Sequence, residues 1–368
     1  MSFDFQGLAM CDHANYDQPF LVLCFPIAKA KPALLHAWIA CSVSMLADKS
    51  PYWRQKAIIH HKYSLKYLRE DIQDVCDGSE EWLKATILML HLFEAHGPSE
   101  SRSAFSTLHL NAAHQVFRRT LSMRLPASIH ELMLLEAYTL RVATNCLFEP
   151  TSDLPLDYVL RLTRAYQSAS SAFGLTIAWR TTPWVFPIGF ELIDHVYRLS
   201  WLARRLPLNK RQILEAFSIS RVVASPPTDT WAVSYSDAPW YISVVGNLFK
   251  YACSCLVSII LASSNQVAPN VDKSIIEGLA ALEKLTEQRG VHPGLPWALA
   301  ILGCAVSTRT DLNRCRSIGA RLHGPAGGEV VARVLVLIDG VYELKSASAG
   351  RLSAQDLIHF IDSQTIFI

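Results

Sequence analysis

Apolar residues return along nearly the whole chain at three- and four-residue intervals, and almost nowhere in strict alternation. The first spacing lines one face of a helix, whereas a half-buried strand needs the second. Leu34, Leu35, Trp38, Cys41 and Met45 make one such stripe, beginning just after Pro32, a residue suited to a first helical turn. Ile58, Tyr63, Leu65, Leu68, Ile72 and Val75 predict a second helix from Tyr52 to Cys76. Asp77-Gly78-Ser79-Glu80 stops it and starts a third, through Trp82, Ile87, Leu90 and Phe93, which Gly97-Pro98 ends. The same reading places helices over 102–121, 129–147, 156–173, 188–206, 208–223, 239–264, 270–289, 294–306, 311–323, 327–346 and 353–362. Pro126, the stretch Pro150 to Pro155, and Thr181-Thr182-Pro183-Trp184 supply breaks between them. With no run of alternating strands and no fixed-period repeat, the pattern predicts an all-α fold of about thirteen packed helices.

Residues 1–30 carry only weak periodicity and read as a lead-in segment that need not be ordered. Residues 31–368 read as one large helical domain. Its strongest internal loop signal, Ser225-Pro226-Pro227-Thr228-Asp229, marks a lobe boundary near 225–238.

Composition sharpens this picture. A chain of 368 residues that is 51% hydrophobic buries a large core, and 34 basic against 32 acidic residues leave a net charge of only +2. A surface built for nucleic acid would be strongly basic, so direct DNA binding by this chain is not expected. The run Cys253 to Ala262 is too short to span a bilayer, with Asn247 and Lys250 on its upstream side, and no membrane association is expected. Met1 to Ala30 lacks the basic and apolar regions of a signal peptide. The nine cysteines are scattered, with only Cys253 and Cys255 close together, and read as reduced core residues of an intracellular protein.

The segment Pro293 to Leu322 combines an apolar, small-residue helix with a polar break and a basic helix. Gly303, Cys304 and Ala305 would let a neighbouring helix approach closely. Pro296, Trp297, Leu299, Ile301, Gly303, Cys304, Ala305 and Arg314 stand where the signature of the fungal-specific transcription factor domain would put them, and Val306 departs from its usual acidic position. That domain is the regulatory region found downstream of Zn2Cys6 zinc clusters. The first half of the chain also resembles it, in His61-Lys62-Tyr63-Ser64-Leu65 with Leu68, in Glu94 at the end of its helix, and in His109-Leu110 with Ala112 or Ala113. Phe105 or Ser106 stands where the family commonly has tryptophan.

The resemblance implies a nuclear helical domain that senses a metabolite or partner and self-associates or binds other proteins. The family's zinc cluster would precede this region, yet residues 1–30 contain only Cys11 and Cys24. That leaves a short regulator, a chain whose zinc cluster lies outside these residues, or a family member turned to another use. The rival reading is a cytoplasmic enzyme of secondary metabolism that uses the helical fold to cyclise, isomerise or hydrolyse a hydrophobic metabolite. The balance falls against an enzyme.

Candidate chemistry is sparse. His91 and His96 flank Glu94, but five residues on a helix turn them about 140° apart, so they do not converge on one ion. His60 and His61 diverge in the same way, and His109 reads as a core or lining histidine. No metal site and no cofactor is expected. Asp194 and His195, with Glu191 and Arg198 on the same helix, are the candidate acid–base group, a salt-bridged face being the plainer reading. Trp184, Trp231, Tyr235, Trp240 and Tyr241 are the candidate lining of a hydrophobic small-molecule pocket, though such aromatics also build helical cores. Arg198, Arg204, Arg205, Lys210 and Arg211 form the densest basic cluster, placed where arginine suits a helix C-terminus.

Overall fold

The computed structural model describes residues 26–44, 46, 50–73, 80–96, 103–148, 154–174, 188–224, 240–287, 294–322, 328–347 and 353–363. Among these residues there is no strand. In chain order the longer helices are α1 (Pro32–Ser44), α2 (Pro51–Ile72), α3 (Glu81–His96), α4 (Ser103–Met123), α5 (Ile129–Asn145), α6 (Tyr158–Ala172) and α7 (Phe190–Ala203). They are followed by α8 (Lys210–Ala224), α9 (Trp240–Ser263), α10 (Asp272–Glu287), α11 (Leu295–Ala305), α12 (Arg309–Leu322), α13 (Gly328–Ala347) and α14 (Ala354–Ser363). The expected all-α class is therefore observed, with a helix count close to the one predicted.

Helix ends follow local chemistry. Ser50 caps α2, its side chain accepting from Tyr52 N at 3.2 Å, and Pro51 occupies the first turn. Thr308 caps α12: its hydroxyl accepts from Asp311 N at 3.1 Å and donates to the Asp311 carboxylate at 2.7 Å. That cap starts α12 at Arg309, two residues before the predicted position. Asn209 and Gln212 exchange reciprocal bonds of 2.9 and 3.0 Å ahead of α8.

The chain divides into two units. The first comprises residues 1–140, 161–186 and 323–330, the second 141–160, 187–322 and 331–368. The predicted lobe boundary near 225–238 lies outside the described residues.

In the first unit, α1 packs on α2 and α3, and α3 packs on α4. Leu34, Trp38, Leu90 and Phe93 are buried, and Phe117 stacks on Tyr138 with ring centres 4.4 Å apart. Polar groups are held inside as well. Glu131, at the start of α5 and 3% exposed, accepts from Lys84 Nζ at 2.6 Å, from Arg124 at 2.6 and 2.9 Å, and from Ala127 N at 2.7 Å. Burial pushes the Glu131 carboxyl up, but these donors outweigh it and hold it below its ordinary value.

In the second unit α9 is central, packing on α7, α8, α10, α11 and α14. The helix runs through Asn247 and Lys250, in keeping with the span of 239–264 expected from the sequence. Its stretch Ser243–Ser263 is 21 residues long and is apolar enough to cross a membrane by length and composition, but 61% of the apolar window is buried against the protein. That burial is how a core helix passes the same test.

The Pro293–Leu322 segment explains itself through packing in this unit. Trp297 is 1% exposed and stacks on Phe249 at 5.2 Å. Gly303 meets Ile338 of α13, where a Cβ would lie 2.4 Å from Ile338 Cδ1, so the close approach expected of the small residues is real. Arg314 of α12 forms a two-pronged pair with Glu283 of α10, at 3.0 and 2.9 Å. Lys345, buried in α13, donates to the carbonyls of Ala305 and Val306 at 2.9 and 3.0 Å, satisfying orphan acceptors at the end of α11. Cys253, Cys255, Cys304 and Cys315 are buried free thiols, and burial pushes Cys304 and Cys315 up to about 12.

Candidate functional site

Three polar residues of the first unit converge from three different helices. His61 lies in the middle of α2, Glu94 in the last turn of α3, and His109 in the second turn of α4. Both imidazoles reach the same carboxylate oxygen: His61 Nε2 and His109 Nε2 are each 3.2 Å from Glu94 Oε1. The donor atoms of the three side chains all lie within 4.8 Å of one another. Among the described residues no other trio of histidine, cysteine or carboxylate side chains converges this way.

The local sequence builds this geometry. α3 is buried over nearly all of its described length, carrying Glu94 inside with Lys84, Thr86 and His91, whereas α2 and α4 each bury one face, at whose partly exposed edge His61 and His109 lie. Phe93 is 3% exposed and stacks on the His61 ring at 4.5 Å, which limits how that imidazole can turn. The neighbouring His60 points elsewhere, its Nδ1 lying 2.8 Å from Nδ1 of His36. The predicted divergence of the two histidines is thus observed.

Glu94 is an expensive residue where it stands. Its side chain is 3% exposed, and it sits near the C-terminus of α3, where the helix dipole is already negative. Oε2 is buried with no hydrogen-bond partner among the described residues. His61 Nε2 is close to Oε1 but makes no well-directed hydrogen bond. Burial raises the Glu94 carboxyl, yet the two imidazoles lower it more, and the net position is below its ordinary value of 4.5. The pocket around Glu94 therefore favours an anion, and an anion there calls for a cation. The His61 and His109 side chains are 14% and 16% exposed, so this side of the cluster reaches solvent.

The candidate acid–base group is arranged differently. Asp194 and His195 are consecutive on α7 and diverge. Asp194 Oδ2 accepts from Arg198 Nε at 2.7 Å, and Arg198 Nη1 donates to Glu215 at 2.6 Å. Both ring nitrogens of His195 are buried without a hydrogen-bond partner among the described residues. The structure therefore joins Asp194 to Arg198 and does not join it to His195. Burial pushes Asp194 up to about 6 despite Arg198, with Glu215 and Glu191 adding to the rise, and burial lowers His195.

Two more members of the basic cluster are engaged, while Lys210 and Arg211 are exposed at the start of α8. Arg204 donates to Leu147 O at 2.8 Å and to Asp362 at 2.8 Å, and Arg205 lies over the Trp201 ring at 3.8 Å. Of the candidate pocket lining, Trp184, Trp231 and Tyr235 lie outside the described residues. Trp240 and Tyr241 open α9, and their side chains also lie outside them.

In the sequence, His61, Glu94 and His109 are named separately and metal spacing is weighed only between residues of one helix, His91 with Glu94 and His96, and His60 with His61. A set drawn from three helices, with intervals of 33 and 15 residues, carries no local motif. The usable signal is weaker: a mostly apolar helix with a carboxylate in its last turn, between two helices that each carry a histidine.

Comparison with known proteins bears on the same half of the chain. Residues 8–145 match the family model described as fungal specific transcription factor domain, a span that holds all three members of the cluster. The resemblance read from the sequence is borne out there, and it supports a transcription-regulatory role. Pro293–Leu322 lies beyond the matched span. No curated protein and no solved structure matches the chain.

Proposed function

Proceeding from the fungal specific transcription factor domain over residues 8–145, we propose that this chain is a transcription-regulatory effector domain that acts in the nucleus through protein partners. The family match is the observation that carries this reading. Two features support the part about partners. The net charge is +2, which provides little attraction for a phosphate backbone. Within the densest basic cluster, Arg198 is neutralised by Asp194 and Glu215, and Arg204 by Asp362. A helical domain that contacts DNA would keep such arginines available. On this reading the protein modulates a complete factor, and a hydrophobic metabolite is the class of signal it answers to.

The test is a strain lacking this chain, with transcripts and metabolites measured side by side. The expected result is that a defined set of transcripts changes and that the wild-type chain restores it. An Asp194→Ala/His195→Ala variant should restore it equally, provided its fold survives. Unchanged transcripts with accumulation of one precursor would overturn the proposal in favour of an enzyme.

A further inference from the structure

We infer that His61, Glu94 and His109 form a binding site for a divalent transition-metal ion, with zinc the occupant their donors fit. The argument begins with distance. Zinc bonds of about 2.0–2.1 Å to imidazole nitrogen and about 2.0–2.2 Å to carboxylate oxygen place two tetrahedral ligand atoms roughly 3.3 Å apart. Both nitrogen-to-oxygen edges in the cluster are 3.2 Å. The site is thus already spaced as two edges of a coordination tetrahedron.

Donor chemistry narrows the occupant. Two imidazoles and one carboxylate suit zinc and its first-row neighbours, whereas magnesium and calcium take oxygen ligands almost exclusively. Among the described residues no thiolate takes part, which argues against copper(I) and iron–sulfur chemistry. Three protein ligands leave a fourth position, and the partial exposure of both imidazoles provides an entry path and room for water or a further ligand there.

Charge makes the case independently of distance. A buried carboxylate at the negative end of α3, with one oxygen lacking a partner among the described residues, is a standing cost in the protein alone. A divalent ion removes that cost and neutralises the helix end. The ion would also tie α2, α3 and α4 together, coupling metal binding to the folding of the first unit. Its consequence is a domain whose packing responds to metal supply.

The inference goes beyond the regulatory reading, and the two fail separately. A negative metal titration leaves the transcript experiment standing, and the reverse also holds. The purified full chain is stripped of metal and titrated with Zn2+ against a chromogenic chelator, and separately with Co2+. The expected result is one equivalent bound, with visible cobalt bands and no thiolate-to-cobalt charge-transfer band. Glu94→Gln and His109→Gln should each weaken binding by more than about 100-fold, since loss of an outer-shell partner alone costs about 10- to 100-fold. His130→Gln, which alters a peripheral pair with Glu81, should bind as wild type. Helical circular dichroism establishes whether each variant folds. A second measurement needs no variant: Zn2+ should protect His61 and His109 from diethyl pyrocarbonate, mapped by peptide mass spectrometry. Absence of stoichiometric uptake, a sulfur charge-transfer band, variants that bind like wild type, or no protection of these two histidines would overturn the site.

Discussion

Two helical glycines of the second unit offer a controlled test of the packing argument. Gly303 in α11 faces Ile338 of α13: an added Cβ would stand 2.4 Å from Cδ1, 2.5 Å from Cγ1 and 3.1 Å from Cγ2. Ordinary carbon contacts are about 3.5–4.0 Å, so Ile338 would have to retreat by about an ångström. Ile338 is fully buried and β-branched, with one strongly preferred rotamer in a helix, so it has little room to turn away. Gly246 in α9 has nothing within 4 Å of an added Cβ. Replacing glycine with alanine inside a helix is worth about 0.8–1.0 kcal/mol in propensity. At Gly246 that gain should appear as stabilisation. At Gly303 the same gain meets an overpacking cost of about 1–3 kcal/mol, and the net sign should be unfavourable or near zero. The difference between the two substitutions cancels the shared propensity term and leaves about 1–3 kcal/mol of packing. Urea unfolding followed by helical circular dichroism measures it, as midpoint shifts at unchanged slope. Adding Ile338→Val should recover part of the Gly303→Ala loss, because it deletes the Cδ1 atom in conflict. If Gly303→Ala stabilises as much as Gly246→Ala, or if Ile338→Val recovers nothing, the close helix approach is not what holds this glycine in place.

Other predictions concern the buried polar groups. Glu131→Gln should destabilise the first unit by about 3–5 kcal/mol, because Lys84 and Arg124 lose the carboxylate they share, and denaturant unfolding would show it. Since the folded Glu131 pKa is depressed, its contribution is present above the ordinary value of 4.5 and is lost as pH falls through the folded value; in acid titrations the Gln variant should lack that loss. Asp194 should behave in the opposite sense, its folded pKa being raised from 3.8 to about 6: its share of stability is full below 3.8 and is lost as pH rises through about 6, roughly 3 kcal/mol in all. Asp194→Asn should flatten stability measured between those pH values, and an unchanged slope would contradict the burial argument. Lys345→Met should cost about 1–3 kcal/mol by leaving the Ala305 and Val306 carbonyls without their donor, and an unshifted urea midpoint would show that water replaces it.

What the chain alone determined is its helices and their breaks. Three- and four-residue periodicity, Pro32 and Pro51 at helix starts and Gly97-Pro98 after α3 are local features, and local features set secondary structure. The small-residue run at Gly303 was legible for the same reason, since a missing side chain permits a close approach whichever helix makes it. The membrane reading shows the limit of locality: Asn247 and Lys250 leave only Cys253 to Ala262 as an unbroken apolar run, yet Ser243–Ser263 is long and apolar enough to cross a membrane, and it is burial within the unit that marks it as a core helix. Tertiary structure alone decided the partners. Asp194 and His195 are adjacent in sequence yet separated by the 100° turn of a helix, while His61, Glu94 and His109 meet across intervals of 33 and 15 residues. Helical periodicity states which face each side chain occupies, but not which other helix that face will meet. That choice is made by packing three apolar surfaces against one another, and the same packing brings two imidazoles to one buried carboxylate.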